Sequence, residues 1–240
     1  VNGSKILGGL AGRDRDSTFK NCWNASDIDN VNRSIHQCGG IAGMASNSNF
    51  YNCANLGYLH GGSRVGGIVG EAKGVTIKNC SGLSDIENYA SEWNYDWETE
   101  TGRNVYNIGT LAGTGASVSL SYAEDGFERN DNGETGVVPH FTGKGKLTES
   151  GTDDDLLNAL NENLYEMDGE EGLNKWSRTN GGYPLPNGGS FVNDATYYNI
   201  WLDGVRVSER NQADILKNGL AYYDDVTNTL YLHDGLVVTN

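Results

Sequence analysis

The sequence predicts a mainly β fold: a parallel β-solenoid, or β-helix, of three strands per coil, followed by a helical closing segment and a small ββαββ module. Three observations predict it. Thirty-four glycines stand against three prolines, which favours a chain of tight corners, since glycine reaches positive φ without steric cost. One short pattern recurs four times. Its downstream partner then follows at an unchanging distance.

The recurring pattern is an apolar residue, Gly-Gly or Gly-Thr, Leu or Ile, a small residue and Gly. It reads LGGLAG at Leu7 to Gly12, CGGIAG at Cys38 to Gly43, VGGIVG at Val65 to Gly70 and IGTLAG at Ile108 to Gly113. FKNC, FYNC and IKNC follow the first three, and the offset is constant from Gly8 to Cys22, Gly39 to Cys53 and Gly66 to Cys80. A third apolar element ends at Ile28, Leu59 and Ile86, after which lengths diverge. Insertions are thus confined to one corner.

A unit of roughly 27 residues cannot bury a core alone, but stacked copies can. Neighbouring copies at a strand spacing of about 4.8 Å place equivalent residues in files. Phe19, Phe50 and Ile77 form one interior file, Leu10, Ile41, Ile68 and Leu111 a second, and Ile28, Leu59 and Ile86 a third. The glycine pair lies between two apolar positions that both face inward, which strict alternation forbids, so a corner belongs there. Asn21, Asn52 and Asn79 are expected to form an amide ladder at another bend, with Cys22, Cys53 and Cys80 stacked beside them.

The Gly-Leu-x-Gly core, here GLAG, GIAG and GIVG, resembles the GLUG repeat of bacterial cell-surface and adhesin-like proteins. The likeness covers Leu7 to about Phe127. It implies an extracellular location on a bacterial surface. The fourth copy departs from the pattern, with Thr110 for a glycine and SLSY, ending at Tyr122, for the Asn-Cys element; an irregular final coil is expected.

Residues 1–146 are assigned to the repeats and a glycine-rich connection, 147–190 to the closing segment and 191–240 to the last module. TDDDLLNALNENLYE has Thr152 as N-cap, three aspartates in the first turn, and Leu156, Leu157, Leu160 and Leu164 on one face. That face is expected to cover the open end of the coil stack, whose strand edge otherwise stays free. Trp176 and Tyr183 are expected to anchor the extended stretch that follows, which resembles the segment trailing such repeats in surface proteins. Asp203-Gly204 between two alternating runs signals a hairpin. NQADILKNG reads as a short helix closed by Gly219, and LAYYDDVTNTLYLHDG as a second hairpin. This module is similar to those strung along large secreted bacterial proteins. Opening on Val1 and stopping at Asn240 without an evident end, the chain reads as a piece of a longer protein with further domains.

The formal charge of −15 argues against nucleic acid as a partner, since phosphate is bound by clustered Lys and Arg. No apolar run approaches the ~20 residues of a membrane-spanning helix. The four cysteines lack Cys-x-x-Cys spacing and recur with the repeat, so buried free thiols are expected in place of a zinc site or disulfides; Cys38 takes the position of Leu7, Val65 and Ile108. Asp27 and Asp29 match Asp85 and Glu87, but Tyr58 and His60 interrupt them, which suits a solvated wall better than calcium. The outward file Lys20, Tyr51, Lys78 offers no catalytic set, and His36, His60, His140 and His233 share no constellation. No enzyme activity and no cofactor are expected; since some β-helix proteins cleave polysaccharides, a polysaccharide-cleaving β-helix enzyme is the second alternative.

The insertion Glu87 to Asn107 concentrates Tyr89, Trp93, Tyr95, Trp97 and Tyr106. Such rings either stack on sugars and anchor protein contacts or fold back over the coil walls as a satellite cluster. The expected function is an adhesion or spacer scaffold, its partner a glycan or protein on a host or neighbouring cell. A carbohydrate-binding module built on Tyr89, Trp93, Tyr95 and Trp97 is the alternative.

Overall fold

A computed structural model describes residues 2–3, 5–30, 37–83, 85–88, 92–96, 101–105, 107–109, 111–124, 134–135, 140–141, 155–167, 169–178, 183–192, 195–202, 205–216 and 218–233. The chain is mainly β, and it divides into two compact units, Val1–Phe191 and Val192–Asn240.

In the first unit each of the first three copies breaks into five short strands, while the fourth shows only Asn107–Gly109, Ala116–Ser119 and Tyr122–Glu124 among the described residues. The first copy gives Ile6–Gly8, Ala11–Arg15, Thr18–Lys20, Trp23–Asn24 and Ile28–Asn30. The second gives Gln37–Gly39, Ala42–Ser46, Asn49–Tyr51, Ala54–Asn55 and Leu59–Gly61, and the third Arg64–Gly66, Val69–Lys73, Thr76–Lys78, Ser81–Gly82 and Ile86–Asn88. Through these three copies every strand pairs in parallel with its counterpart in the next, which builds five parallel sheets. Three strands per copy were expected; the glycine pair and the Asn-Cys bend each split one predicted strand in two.

Register follows the repeat. Leu7 lies opposite Cys38, Cys38 opposite Val65, and Val65 opposite Ile108. Phe19, Phe50, Ile77 and Val118 form a second line, and Ile28, Leu59 and Ile86 a third. The interior is a column of Ile41, Phe50, Ile68, Ile77 and Leu111, all fully buried, with the rings of Phe19 and Phe50 stacked at 4.7 Å. Burying each such side chain contributes about 1.5–3 kcal/mol.

The glycine pairs make their bend by close approach, without positive φ. A Cβ on Gly39 would lie 2.0 Å from Ala42 O, and one on Gly40 would lie 2.1 Å from Gly67 O in the next copy. The left-handed positions lie at two other bends, Asp16, Asn47 and Gly74 at one and Asn21, Asn52 and Asn79 at the next, with φ between 51° and 62°. Asparagine and aspartate tolerate that region better than other side chains.

The helix Asp155–Asn163 buries Leu156 and Leu160, and Leu164 follows in the 3₁₀ turn Leu164–Glu166. These leucines pack with Ala54, Leu83, Trp176 and Leu185, and Tyr183 rests against the same cluster. Thr152 lies outside the described residues. Instead of covering the end of the stack, the segment lies as a strap along its side, bonded to one copy after another. Asn163 Nδ2 donates to Leu120 O at 2.8 Å, Asn79 Nδ2 to Leu160 O at 3.1 Å, Asn52 Nδ2 to Asn174 O at 2.8 Å and Asn21 Nδ2 to Gly172 O at 2.8 Å. The side is the better site because each corner amide carries a second donor that its neighbour in the ladder does not use.

The second unit contains two antiparallel hairpins, Tyr197–Leu202 with Val205–Ser208 and Ala221–Asp224 with Thr229–Leu232. They share a core of Leu202, Val207, Ile215, Ala221 and Tyr223. Residues 203–204 lie outside the described residues. The helix expected between the hairpins is replaced by consecutive turns over 209–216. Asn211 Oδ1 accepts from Ser208 N–H, and Asp214 Oδ1 from Asn218 and Gly219 N–H, so side chains take backbone donors that a helix would have used.

Candidate functional site

The corner at Asn21, Asn52 and Asn79 carries a continuous amide ladder through the first three copies. Asn52 Nδ2 donates to Asn21 Oδ1 at 2.7 Å, and Asn79 Nδ2 to Asn52 Oδ1 at 2.9 Å. Their left-handed backbones bring the amides into line, and Asn52 and Asn79 are fully buried. In the fourth copy Leu120 occupies the same left-handed corner, at φ 51°. Asn79 Oδ1 therefore finds no donor among the described residues.

All four cysteines are free thiols; Cys38, Cys53 and Cys80 are buried as expected, whereas Cys22, in the outermost copy, is only half-buried. Cys22, Cys53 and Cys80 follow the ladder: Cys53 N–H donates to Cys80 Sγ at 3.3 Å, and Cys80 N–H to Ser121 Oγ at 3.0 Å. Ser121 thus does in the fourth copy what cysteine does in the third. Burial pushes the Cys38 thiol up to about 12, with nearby Asp29 adding to it. Burial also raises Cys53 well above the ordinary thiol range. The hydrogen bond with Cys53, then burial, raises Cys22. Protonated thiols are poor nucleophiles and poor metal ligands.

The outward file Lys20, Tyr51, Lys78 is a platform for the strap. Lys20 Nζ lies 2.9 Å from Glu170 Oε2 and donates to Glu171 O at 3.0 Å, while Lys78 Nζ donates to Glu166 O at 3.2 Å. On the acidic wall, Asp27 Oδ1 accepts from Tyr58 N–H at 2.9 Å, and Asp29 Oδ1 lies 3.0 Å from His60 Nδ1. Tyr58 and His60, which interrupt this file in sequence, thus serve as its partners. No group of three potential metal ligands occurs among the described residues.

A second amide pair escaped the sequence reading. Asn24 Nδ2 donates to Asn55 Oδ1 at 2.8 Å, and Asn55 fills the space where a Cβ on Gly40 would come within 2.3 Å of its Cγ. The signal was present: an asparagine stands two residues after each of the first two repeat cysteines.

Of the aromatic insertion, Glu92–Asp96 pairs antiparallel with Thr101–Val105, setting Trp93 opposite Asn104 and Tyr95 opposite Gly102. Tyr89, Trp97 and Tyr106 lie outside the described residues. The described part of the insertion is therefore an antiparallel strand pair between the third and fourth copies. In the second unit, Trp201 is exposed, and Tyr222 stacks on Tyr231 at 4.4 Å with His233 beside it. Sequence periodicity alone did not single out these rings.

Among the described residues no helix is long and apolar enough to cross a membrane. No family model, no curated protein and no solved structure matches the chain.

Proposed function

We propose that this chain is a non-catalytic segment of a bacterial surface protein, in which GLUG-type copies stack as a β-solenoid and serve as an adhesion or spacer scaffold. The observation that carries the reading is the register: each of five strands meets its own counterpart in the next copy. A column of this kind resists load along its axis through many parallel hydrogen bonds and presents its insertions at one corner. The strap along the asparagine corners supports it by tying successive copies together.

Pulling the chain by its two ends in an atomic force microscope tests the spacer role. Copies that peel off singly are expected to release about 100 Å of chain each, at roughly 3.4 Å per residue. A single event releasing the whole first unit at low force contradicts the reading.

The second reading is carbohydrate binding by the insertion, favoured by the hairpin that holds Trp93 and Tyr95 in one strand. The partner is a glycan on a host or neighbouring cell. A glycan array probed with the chain and with Trp93→Ala and Trp97→Ala is expected to lose signal in the variants at unchanged melting temperature. Absence of binding by the parent chain eliminates this reading and leaves the scaffold role standing.

A further inference from the structure

Asn2–Gly3 pairs in parallel with Ile28–Asn30, Asn2 opposite Asp29 and Gly3 opposite Asn30. His60, from the closing strand of the second copy, meets Asp29 from the other side. Asn2–Gly3 thus holds, ahead of the first copy, the place that a copy's closing strand holds ahead of the next. The spacing agrees, since Gly3 precedes Leu7 and Gly8 as Gly61 precedes Val65 and Gly66. The other four strands of the first copy, Ile6–Gly8, Ala11–Arg15, Thr18–Lys20 and Trp23–Asn24, are each last in their sheet.

Three further features of this edge match a missing neighbour. Leu10 is 48% exposed, whereas Ile41, Ile68 and Leu111 in the same file are at 0%. Gly43 and Gly70 are glycines because a Cβ would strike the copy before, at 2.6 Å from Leu7 O and 2.7 Å from Cys38 N; Gly12, their counterpart, meets only Ile6 O at 3.2 Å. Asn52 and Asn79 each donate twice through Nδ2, once to the preceding asparagine and once to the strap. Asn21 donates to the strap through Gly172 O, and its position leaves the ladder bond for a preceding side chain.

We infer that this edge is the docking surface of one more copy of the repeat, carried by the same polypeptide ahead of Asn2 and running into it. The inference rests on the solenoid reading. The docking copy brings parallel strands, an apolar residue over Leu10, a glycine pair against Gly12 and a side-chain acceptor for Asn21. Backbone donors await it as well. Asn49, Ala54 and Leu56 donate back to Ser17 O, Cys22 O and Asn24 O, and their counterparts Thr18, Trp23 and Ala25 face the open edge.

The experiment fuses a duplicate of Gln37–Tyr58 directly ahead of Val1 and compares it with a Gly/Ser extension of equal length. Amide exchange at Thr18, Trp23 and Ala25 is expected to slow by about tenfold or more, and the thermal midpoint to rise by about 5 °C. Exchange and midpoint equal to those of the Gly/Ser control overturn the inference. Should the fusion not fold, Leu10→Glu and Ile41→Glu in the unextended chain decide. Leu10→Glu is expected to shift the midpoint by less than about 2 °C, while Ile41→Glu abolishes folding. Equal damage from both means the edge is already covered, and the inference falls while the stack stands. Equal mildness means the stack itself is wrong. Sedimentation of the unextended chain is expected to show a monomer; a dimer dissociated by Leu10→Glu assigns the edge to a second copy and overturns the inference.

Discussion

Asn79 and Asn52 are joined by a 2.9 Å hydrogen bond, Nδ2 to Oδ1, between two residues held in the left-handed region at φ 52° and 58°. The bond and the backbone depend on each other. The left-handed turn aims both amides along the stack, and the amide chain repays the strain of that turn.

Asn52→Ala is expected to destabilise the first unit by about 3–4 kcal/mol. It removes the bonds to Asn21, Asn79 and Asn174, at about 1 kcal/mol each, and leaves alanine in a left-handed corner at about 1 kcal/mol more. Asn52→Gly is expected to recover about 1 kcal/mol of this, because glycine adopts the corner freely. Urea unfolding of the three proteins, followed by circular dichroism, checks the order; equal midpoints for Ala and Gly contradict the role given to φ.

Leu120→Asn is expected to stabilise the unit by about 1 kcal/mol. Leucine at φ 51° is strained, and Asn79 Oδ1 lacks a donor among the described residues. An asparagine relieves the corner by about 1 kcal/mol and supplies a bond of similar worth. Loss of the partly buried leucine from the strap cluster offsets about half of that gain. A lower urea midpoint than the parent chain refutes the extension of the ladder.

How far these features were legible varies with their physical origin. Constant offsets fix which residues meet, so the Phe19, Phe50, Ile77 file, the Asn21, Asn52, Asn79 ladder and the free thiols were all readable from spacing. Offsets do not reveal what a bend requires of its residues. Spacing places Gly39 and Gly40 at a corner, but their need there is for room against neighbouring backbone, which only the packed copies show. The strap's leucines announced an apolar face, but periodicity says nothing of which surface receives it. The receiving surface is marked by donors on Lys20, Asn21, Asn52, Lys78 and Asn79, residues that each already had an explanation within the repeat. In the second unit, Asn211 and Asp214 turned a helical pattern into turns through bonds to the backbone. As for the aromatic insertion, the hairpin register places Trp93 and Tyr95, while Tyr89 and Trp97 lie outside the described residues.

Gly40→Ala is expected to abolish folding of the first unit, with a loss of more than about 3 kcal/mol. Its Cβ would stand 2.1 Å from Gly67 O and 2.3 Å from Asn55 Cγ, and the backbone partner cannot step aside without breaking the sheet register. Gly115→Ala is the control, because a Cβ there meets nothing within 4 Å. Soluble yield and circular dichroism distinguish the two; a folded Gly40→Ala protein refutes close approach as the reason for the glycine pair.

Alkaline pH is expected to weaken the first unit through its thiols. An ordinary thiol titrates near 9.0, while Cys38 is raised to about 12 and Cys53 well above its ordinary range, both chiefly by burial. Below pH 9 the folded and unfolded thiols are both protonated, and the thiols' contribution to stability is intact. As pH rises from about 9 toward 12 the unfolded chain releases its thiol protons first, so the unfolded state gains and stability falls. Each such thiol contributes a slope of about 1.4 kcal/mol per pH unit. Cys38→Val puts at this position the residue that Val65 already is at the same register, and is expected to fold as well as the parent at pH 7. Urea midpoints measured from pH 8 to 11 are expected to fall less steeply in Cys38→Val than in the parent chain, the difference isolating one thiol from lysine and tyrosine titration. Parallel curves for the two proteins refute a buried, protonated Cys38.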